Sequence, residues 1–165
     1  MRLSSKLHSC ELVLFEPRIP QNTGNIARTC AAFNMPLHLI EPLGYSLEDK
    51  YLKRAGLDYW PYMDITTHPN FKSYINKVKS NQRILAFSKA AQLHLNDISF
   101  NDQDVLIFGR EDTGLPTFVK HTCTHVISIP MPGGITDISK GGIRSLNLSS
   151  AVAIVAYQAY IQTEL

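Results

Sequence analysis

The sequence predicts an α/β fold with a mostly parallel sheet and flanking helices. Short apolar runs alternate with helix-like pieces almost from end to end, which is typical of parallel α/β proteins. The runs are apolar at nearly every position, as in strands that are buried on both faces. They cover residues 11–15, 37–41, 83–87, 105–109 and 125–129. The chain has 165 residues and no internal repeat, so we expect one domain over residues 1–165.

Helical patterns fill the intervals between these runs, near residues 24–34, 48–55, 70–79 and 116–121. The segment 146–161 is a further helix that is apolar on almost every side. Such a helix is normally covered on all sides. Burial inside the monomer and burial against a second subunit both explain it.

Composition places the chain among ordinary globular proteins. Its hydrophobic content is 44%, its charged content 18% and its formal net charge +2. This balance does not indicate a strongly basic nucleic-acid binder, although it leaves room for a local basic patch. We find no secretory signal and no apolar run near the roughly 20 residues of a membrane span. Three widely spaced cysteines predict free thiols in a reducing, cytoplasmic setting.

The sequence lacks the motifs of several common binding sites and active sites. The sequence has no GxGxxG after a strand, no GxxxxGK[ST] loop and no GxSxG nucleophile elbow. His121, Cys123 and His125 have the side chains of metal ligands, but no fourth ligand is evident, so we expect no metal. The histidines at positions 8, 38, 68 and 94 form no recognisable pair.

The segment PRIPQNTGNIARTC, residues 17–30, follows the first predicted strand. We expect residues 22–24 to form a turn in which Thr23 caps the next helix. Asn25 and Arg28 then share one face of that helix, near the sheet edge where ligands bind in open α/β folds. A solvated polar face with a capping turn is the alternative. The opposite, core-facing stripe consists of Ile26, Ala27, Cys30 and Ala31.

The segment LIFGREDTGLP, residues 106–116, ends a strand at Gly109 and places Glu111 and Gly114 in the following turn. Gly109 would let a ligand approach the backbone closely. Glu111 could accept hydrogen bonds or stabilise a positive ligand. Taken alone, this segment favours a glycine-punctuated surface loop that ends at Pro116.

The segment IPMPGG…GGIRSLNLSSA, residues 129–151, joins a strand to the apolar helix. Ser145 and Asn147 lie at the helix entry, where short polar side chains cap free backbone N–H groups. They could also hold a ligand against those groups, with Arg144 available for phosphate or carboxylate.

Together these three motifs, in this order and near these spacings, resemble the SPOUT RNA methyltransferases. The resemblance covers residues 12–160, and the segment EPLGY…DKYLKRAGLDYW is most similar to the tRNA (cytidine/uridine-34) 2′-O-methyltransferase branch. It implies an α/β domain with a C-terminal trefoil knot, a homodimer, and S-adenosylmethionine as the methyl donor, with S-adenosylhomocysteine as product. It implies no metal and no membrane.

The resemblance also implies the site residues. Arg28 is the catalytic arginine by motif position, with Asn25 and Glu111 supporting it. Because a guanidinium is effectively always protonated, we expect Arg28 to orient the ribose 2′-hydroxyl or a phosphate instead of acting as a base. Tyr157 is expected to be structural or interfacial. The cofactor pocket would involve Phe87, Gly109, Ile129, Met131, Ser145 and Asn147.

The implied partner is the anticodon loop of tRNA, whose unstacked nucleotides proteins read directly. The same transfer on another RNA, a non-catalytic RNA-binding protein, and a generic nucleotide-binding α/β protein are the alternatives. Candidates for phosphate contact are Arg18, Arg28, Lys53, Arg54, Arg110 and Arg144.

Two features depart from the family pattern. The loop between Met131 and Arg144 is longer than is usual in this branch and would lie over the cofactor site. Arg110 adds a charge beside Gly109 where family members often carry another residue.

Overall fold

The computed structural model describes residues 10–48, 50, 52, 54, 60, 63–134, 139 and 141–164. In these ranges the strands are β1 (Glu11–Phe15), β2 (Leu37–Ile40), β3 (Ile65–His68), β4 (Ile84–Phe87), β5 (Leu93–His94), β6 (Val105–Phe108) and β7 (His125–Ser128). The helices are α1 (Pro20–Phe33), α2 (Phe71–Ile75), α3 (Thr117–Thr122) and α4 (Leu148–Thr163), with a 3₁₀ turn at Leu95–Asp97.

The strands form a seven-stranded sheet in the order β3-β2-β1-β6-β4-β7-β5. Every strand pair is parallel, which confirms the predicted α/β class with a mostly parallel sheet. Strand β6 lies between β1 and β4, so the segments that follow β1, β4 and β6 meet at one edge. The trefoil knot stays a prediction.

All five predicted strands are present, and each ends within one residue of its predicted limit. Strands β3 and β5 were missed. Strand β3 reads Ile-Thr-Thr-His, which lacks a continuous apolar run, and β5 has only two residues. Half of the residues of the helix predicted over 48–55 lie outside the described residues.

The sheet separates two apolar cores. Helices α1 and α4 cover one face, where Ile26 and Cys30 pack with Val152 and Val155. Helices α2 and α3 cover the other. Burial of apolar surface on both faces explains why strands β4 and β6 are apolar at every position.

Helix α1 begins four residues earlier than predicted, at Pro20, which occupies its first turn. Proline is favoured there because its missing N–H would have no helical partner. The expected turn at residues 22–24 and the Thr23 cap are therefore wrong. Thr23 is buried inside the helix and accepts a 2.6 Å hydrogen bond from the hydroxyl of Tyr45. Ala31, predicted to face the core, is exposed.

Among the described residues, helix α4 is covered on one side only. Val152, Val155, Ala156 and Ala159 are fully buried. In contrast, Ile154 is 42% exposed and Tyr157 55% exposed. Packing inside the monomer therefore explains only part of the apolar character of α4, and its outer face is open to a partner.

The described residues include no helix with both the length and the apolar character that a membrane span requires. Cys10, Cys30 and Cys123 are free thiols, as predicted.

The prediction that the histidines form no pair is wrong for His38 and His68. Because β2 and β3 are adjacent, the two rings meet with Nδ1 of His38 and Nε2 of His68 at 3.0 Å. Nε2 of His38 lies 2.8 Å from a carboxylate oxygen of Glu11. Burial, His38 and the positive charge of Lys77 lower the pKa of His68, while Glu11 acts in the opposite direction.

We expect this buried ring to make the wild-type protein less stable at mildly acidic pH. A neutral His68 is favoured in the fold, so its contribution is complete above the ordinary histidine pKa of about 6.5 and is lost as pH falls below it. His68→Gln should therefore flatten the fall in the urea midpoint between pH 7.5 and 5.5. Glu11 does not interfere, because its lowered pKa keeps it ionised over that range. Equal slopes for wild type and variant would contradict the prediction.

Candidate active site

A cavity of about 540 Å³ opens at the carboxyl ends of β4, β6 and β7, beside the first turn of α4. This is the edge at which open parallel sheets bind ligands. All six residues that the resemblance assigned to the cofactor line this one cavity, together with Glu111. They are Phe87, Gly109, Ile129, Met131, Ser145 and Asn147.

The cavity wall combines apolar side chains from the sheet and from α4 with polar side chains from the loops. The rings of Phe87 and Phe108 stack with their centroids 4.7 Å apart and their planes at 12°, and Leu148 from α4 adds to the apolar wall. Ser88 and Thr113 contribute hydroxyl groups. An apolar wall with a few polar groups is the usual composition of a small-molecule site.

Glu111 binds the start of helix α1. Its carboxylate accepts hydrogen bonds from the backbone N–H of Arg18 at 2.8 Å and of Ile19 at 3.1 Å, and from the amide of Asn22 at 3.2 Å. Ile19 at the N-cap position has no capping side chain, so Glu111 supplies the acceptor from a different strand end. An anion at this end also interacts favourably with the helix dipole. The carboxylate thus joins α1 to the wall of the cavity.

Asn22 links the hydrogen bonds between Glu111 and α1 to helix α4. The sequence analysis did not identify Asn22 as a site residue. Its side-chain oxygen accepts a 3.0 Å hydrogen bond from the amide of Asn147. Asn147 in turn accepts from the backbone N–H of Ser149 at 2.9 Å and caps α4. The pattern Pro-Gln-Asn contains a detectable signal, because a proline at the first helical position places Asn22 in the first turn of α1.

Glu111→Gln is expected to destabilise the protein by about 1–2 kcal/mol, because a half-buried charged acceptor with three donors becomes neutral. The free energy of unfolding in urea measures this loss. Asp112→Asn is the matched control, since the neighbouring carboxylate is exposed and should matter less. An equal loss in both variants would refute the capping role of Glu111.

Gly109 is required by the chain itself. A methyl group built on its Cα would meet the carbonyl carbon of Gly114 and the backbone nitrogen of Leu115. These atoms lie close because Arg110 and Gly114 pair through two backbone hydrogen bonds of 3.2 and 2.9 Å. The tight turn is thus one reason for glycine at this position. Gly109 also lines the cavity, and the close approach of a ligand to its backbone stays a prediction.

The charge that Arg110 adds beside Gly109 is engaged within the loop. Its guanidinium donates to both carboxylate oxygens of Asp112, at 2.9 and 2.7 Å, and lies 3.5 Å from Glu16. This pairing holds the pKa of Asp112 well below its usual range. Arg110 is therefore a poorer candidate for a phosphate contact than its position in the sequence suggested.

The two remaining catalytic candidates lie outside the cavity wall. Asn25 and Arg28 are exposed on α1, on the face opposite its buried stripe, as the helical spacing predicted. Of the other phosphate-contact candidates, Arg18 pairs with Glu16 at 3.2 Å, Arg54 and Arg144 are exposed, and Lys53 lies outside the described residues.

The long loop before Arg144 is described only in part. Met131 accepts a 2.8 Å hydrogen bond from the backbone of Gly134, and Gly134 pairs with Ile143. Residues 135–138 and 140 lie outside the described ranges. Among the residues that the structure describes, no group of three or more histidine, cysteine or acidic side chains is placed to hold a metal ion.

Comparison with known proteins identifies the family. The model of the SpoU rRNA methylase family matches residues 9–157, almost the whole chain. The chain belongs to this family. The match confirms the RNA methyltransferase family that the three motifs indicated.

Relatives of the SpoU family add detail. A protein of Saccharophagus degradans, named tRNA (cytidine(34)-2'-O)-methyltransferase, is 42% identical over 154 residues, covering 92% of this chain and 94% of its own. A structure reported as "Structural insights into the 2-OH methylation of C/U34 on tRNA" is 45% identical, with a TM-score of 0.85, and the match covers 94% of this chain and 96% of that one.

A more distant structure supports the fold alone. The SpoU methyltransferase AviRb of Streptomyces viridochromogenes, solved with the cofactor AdoMet, has a TM-score of 0.81 at 21% identity. That match covers 96% of this chain and 62% of the other protein.

Proposed function

We propose that this protein transfers a methyl group from S-adenosylmethionine to the ribose 2′-hydroxyl of the wobble nucleotide, cytidine or modified uridine 34, in tRNA. One observation carries the proposal: the six residues assigned to the cofactor come from four separate segments and line a single cavity. Relatives at about 40% identity that carry the name of this activity support the choice of substrate. We place the reaction in the cytoplasm, where free thiols are stable.

The cavity fits the proposed cofactor on its own chemistry. Its volume lies within the range of about 300–1,000 Å³ that is typical of small-molecule sites. The apolar side beside Phe87, Phe108 and Leu148 suits the face of a purine, and the hydroxyl groups of Ser88 and Thr113 suit a ribose. Phe87, Gly109, Ile129, Met131, Ser145 and Asn147 would hold the cofactor.

When bound, the cofactor supplies a methyl group on a positively charged sulfur. The remaining tasks are to align the hydroxyl oxygen with the methyl carbon and to give the hydroxyl proton a route out. Arg28 is suited to orienting the hydroxyl or an adjacent phosphate, because its permanent charge and fork of N–H groups bind oxyanions. Asn25 supports it from the same face of α1, and Glu111 fixes the start of that helix.

We also propose that the protein acts as a homodimer. The exposed Ile154 and Tyr157 lie on the helix that packs against α1, and Tyr157 contacts Phe33 of α1 with ring centroids 6.1 Å apart. An apolar face of this kind is normally covered by another chain. Sedimentation equilibrium should show twice the mass of 18.5 kDa; a monomer at micromolar concentration would contradict this part of the proposal.

The test uses cofactor with a labelled methyl group and tRNA from cells that lack the modification, followed by mapping of the labelled nucleotide. Label on the ribose of nucleotide 34 is the expected result. Label elsewhere in tRNA would refute the wobble assignment but would still support methyltransferase activity. If no RNA is methylated, the remaining hypotheses are a non-catalytic RNA-binding protein and a generic nucleotide-binding protein.

A second candidate substrate is ribosomal RNA, which the description of the matched family names. The same labelled cofactor with unmodified ribosomal RNA forms the second arm of the experiment. Transfer to ribosomal RNA with none to tRNA would replace the first proposal.

A further inference from the structure

Five charged side chains line the cavity. They differ in whether they already have an ion-pair or hydrogen-bond partner within the protein. Three are basic and two are acidic, and they come from the ends of β4 and β6 and from α3. They are Lys89, Arg110, Glu111, Asp112 and Lys120.

The acidic groups and one basic group are engaged inside the fold. Glu111 accepts three hydrogen bonds at the start of α1. Arg110 and Asp112 form a two-point ion pair, and Asp112 also accepts from the backbone of Thr113 at 2.8 Å. Each of these three groups therefore already has partners inside the fold.

Lys89 and Lys120 are different. Within the described part of the chain neither makes an ion pair or a side-chain hydrogen bond, although both line the cavity. Lys120 is half-buried and Lys89 is exposed. The unbalanced charge of the cavity is therefore positive and is carried by these two ammonium groups. An ammonium beside an apolar wall attracts an anion more strongly than it would in open water, because the local dielectric constant is lower.

We propose that Lys89 and Lys120 bind an oxyanion of the ligand at this cavity. The inference rests on the proposed function, which offers two sources of the same chemistry: the carboxylate at the amino-acid end of the cofactor, and an RNA phosphate beside the target ribose. An ammonium group donates charge-assisted hydrogen bonds to either one.

The experiment compares Lys89→Met and Lys120→Met with Lys72→Met, which removes the same charge from an exposed position on α2, away from the cavity. Methionine retains most of the length of the lysine stem, so packing changes little. Calorimetry measures binding of S-adenosylhomocysteine and of 5′-methylthioadenosine, which is a nucleoside thioether without the amino-acid end. Steady-state kinetics measure KM for tRNA, and thermal melting checks that each variant folds.

If the oxyanion is the cofactor carboxylate, each cavity variant weakens S-adenosylhomocysteine binding by about fivefold or more and leaves 5′-methylthioadenosine binding unchanged. If it is an RNA phosphate, both nucleosides bind normally and KM for tRNA rises by a similar factor. Either result supports the inference.

Three results would overturn it. Variants that match Lys72→Met in every measurement would show that the lysines bind nothing at this site. Equal weakening for both nucleosides would mean that the lysines act on the shape of the cavity. A wild-type protein that binds neither nucleoside would refute the proposed function itself, and the inference with it.

Discussion

Arg28→Ala is expected to lower the rate of methyl transfer by about 100- to 1,000-fold, the usual effect of removing a donor that stabilises a transition state. Binding of S-adenosylhomocysteine should stay within about twofold of wild type, because Arg28 lies on the exposed face of α1 and does not line the cavity. Single-turnover transfer to tRNA and calorimetry measure the two quantities separately.

Two further variants sharpen this test. Arg28→Lys keeps the charge but loses the planar fork, so it should recover only part of the rate if orientation matters. Gln21→Ala changes another exposed position on α1 and should behave as wild type. A parallel loss of cofactor binding and rate in Arg28→Ala would show that Arg28 holds the pocket together instead of acting on the substrate.

Gly109→Ala is expected to destabilise the protein by about 3 kcal/mol, the upper end of the usual cost of core overpacking, because the backbone itself must move. The added methyl group would overlap the backbone of Gly114 and Leu115. Neither can retreat without breaking the paired hydrogen bonds between Arg110 and Gly114. We also expect weaker cofactor binding, because this turn forms part of the cavity wall.

Two glycines of the same chain serve as controls. Gly114 has a φ of +69° but open space around its Cα, so Gly114→Ala should lose only about 1 kcal/mol through backbone strain. Gly133 has neither constraint, and Gly133→Ala should be within about 0.5 kcal/mol of wild type. Urea unfolding ranks the three. A Gly109 variant as stable as the Gly133 variant would mean that the loop adapts.

The sheet was predictable from the sequence wherever burial on both faces imposed a continuous apolar run. The same physical rule failed for β3, whose Thr66 and Thr67 lie at an edge where less apolar surface is buried. Helix α1 was placed too late because a Thr-Gly pair suggested a turn, while the acceptor that caps the helix, Glu111, lies about ninety residues further on. A cap supplied by a distant segment leaves no local pattern.

Part of the site was also predictable from the sequence. The three motifs contained five of the six residues assigned to the cofactor, and the sixth, Phe87, is the last residue of a predicted strand. Asn22 and the lysines at positions 89 and 120 were not found, because their relevance depends on which neighbours the sheet order brings to them. Spacing along the chain says nothing about whether a cation already has a partner. The roles of the residues in binding and catalysis stay predictions.

The place of β6 between β1 and β4 has a consequence for how the protein is made. During synthesis the first five strands leave the ribosome before β6, so β1 and β4 each keep the edge that pairs with β6 open until residue 108 has emerged. Chains stalled before that point would expose these apolar strand edges, which favours aggregation and chaperone binding. Ribosome-bound chains that end before and after β6 should therefore differ sharply in protease resistance, whereas the cavity forms only once residues 127–151, which complete its wall, have also emerged.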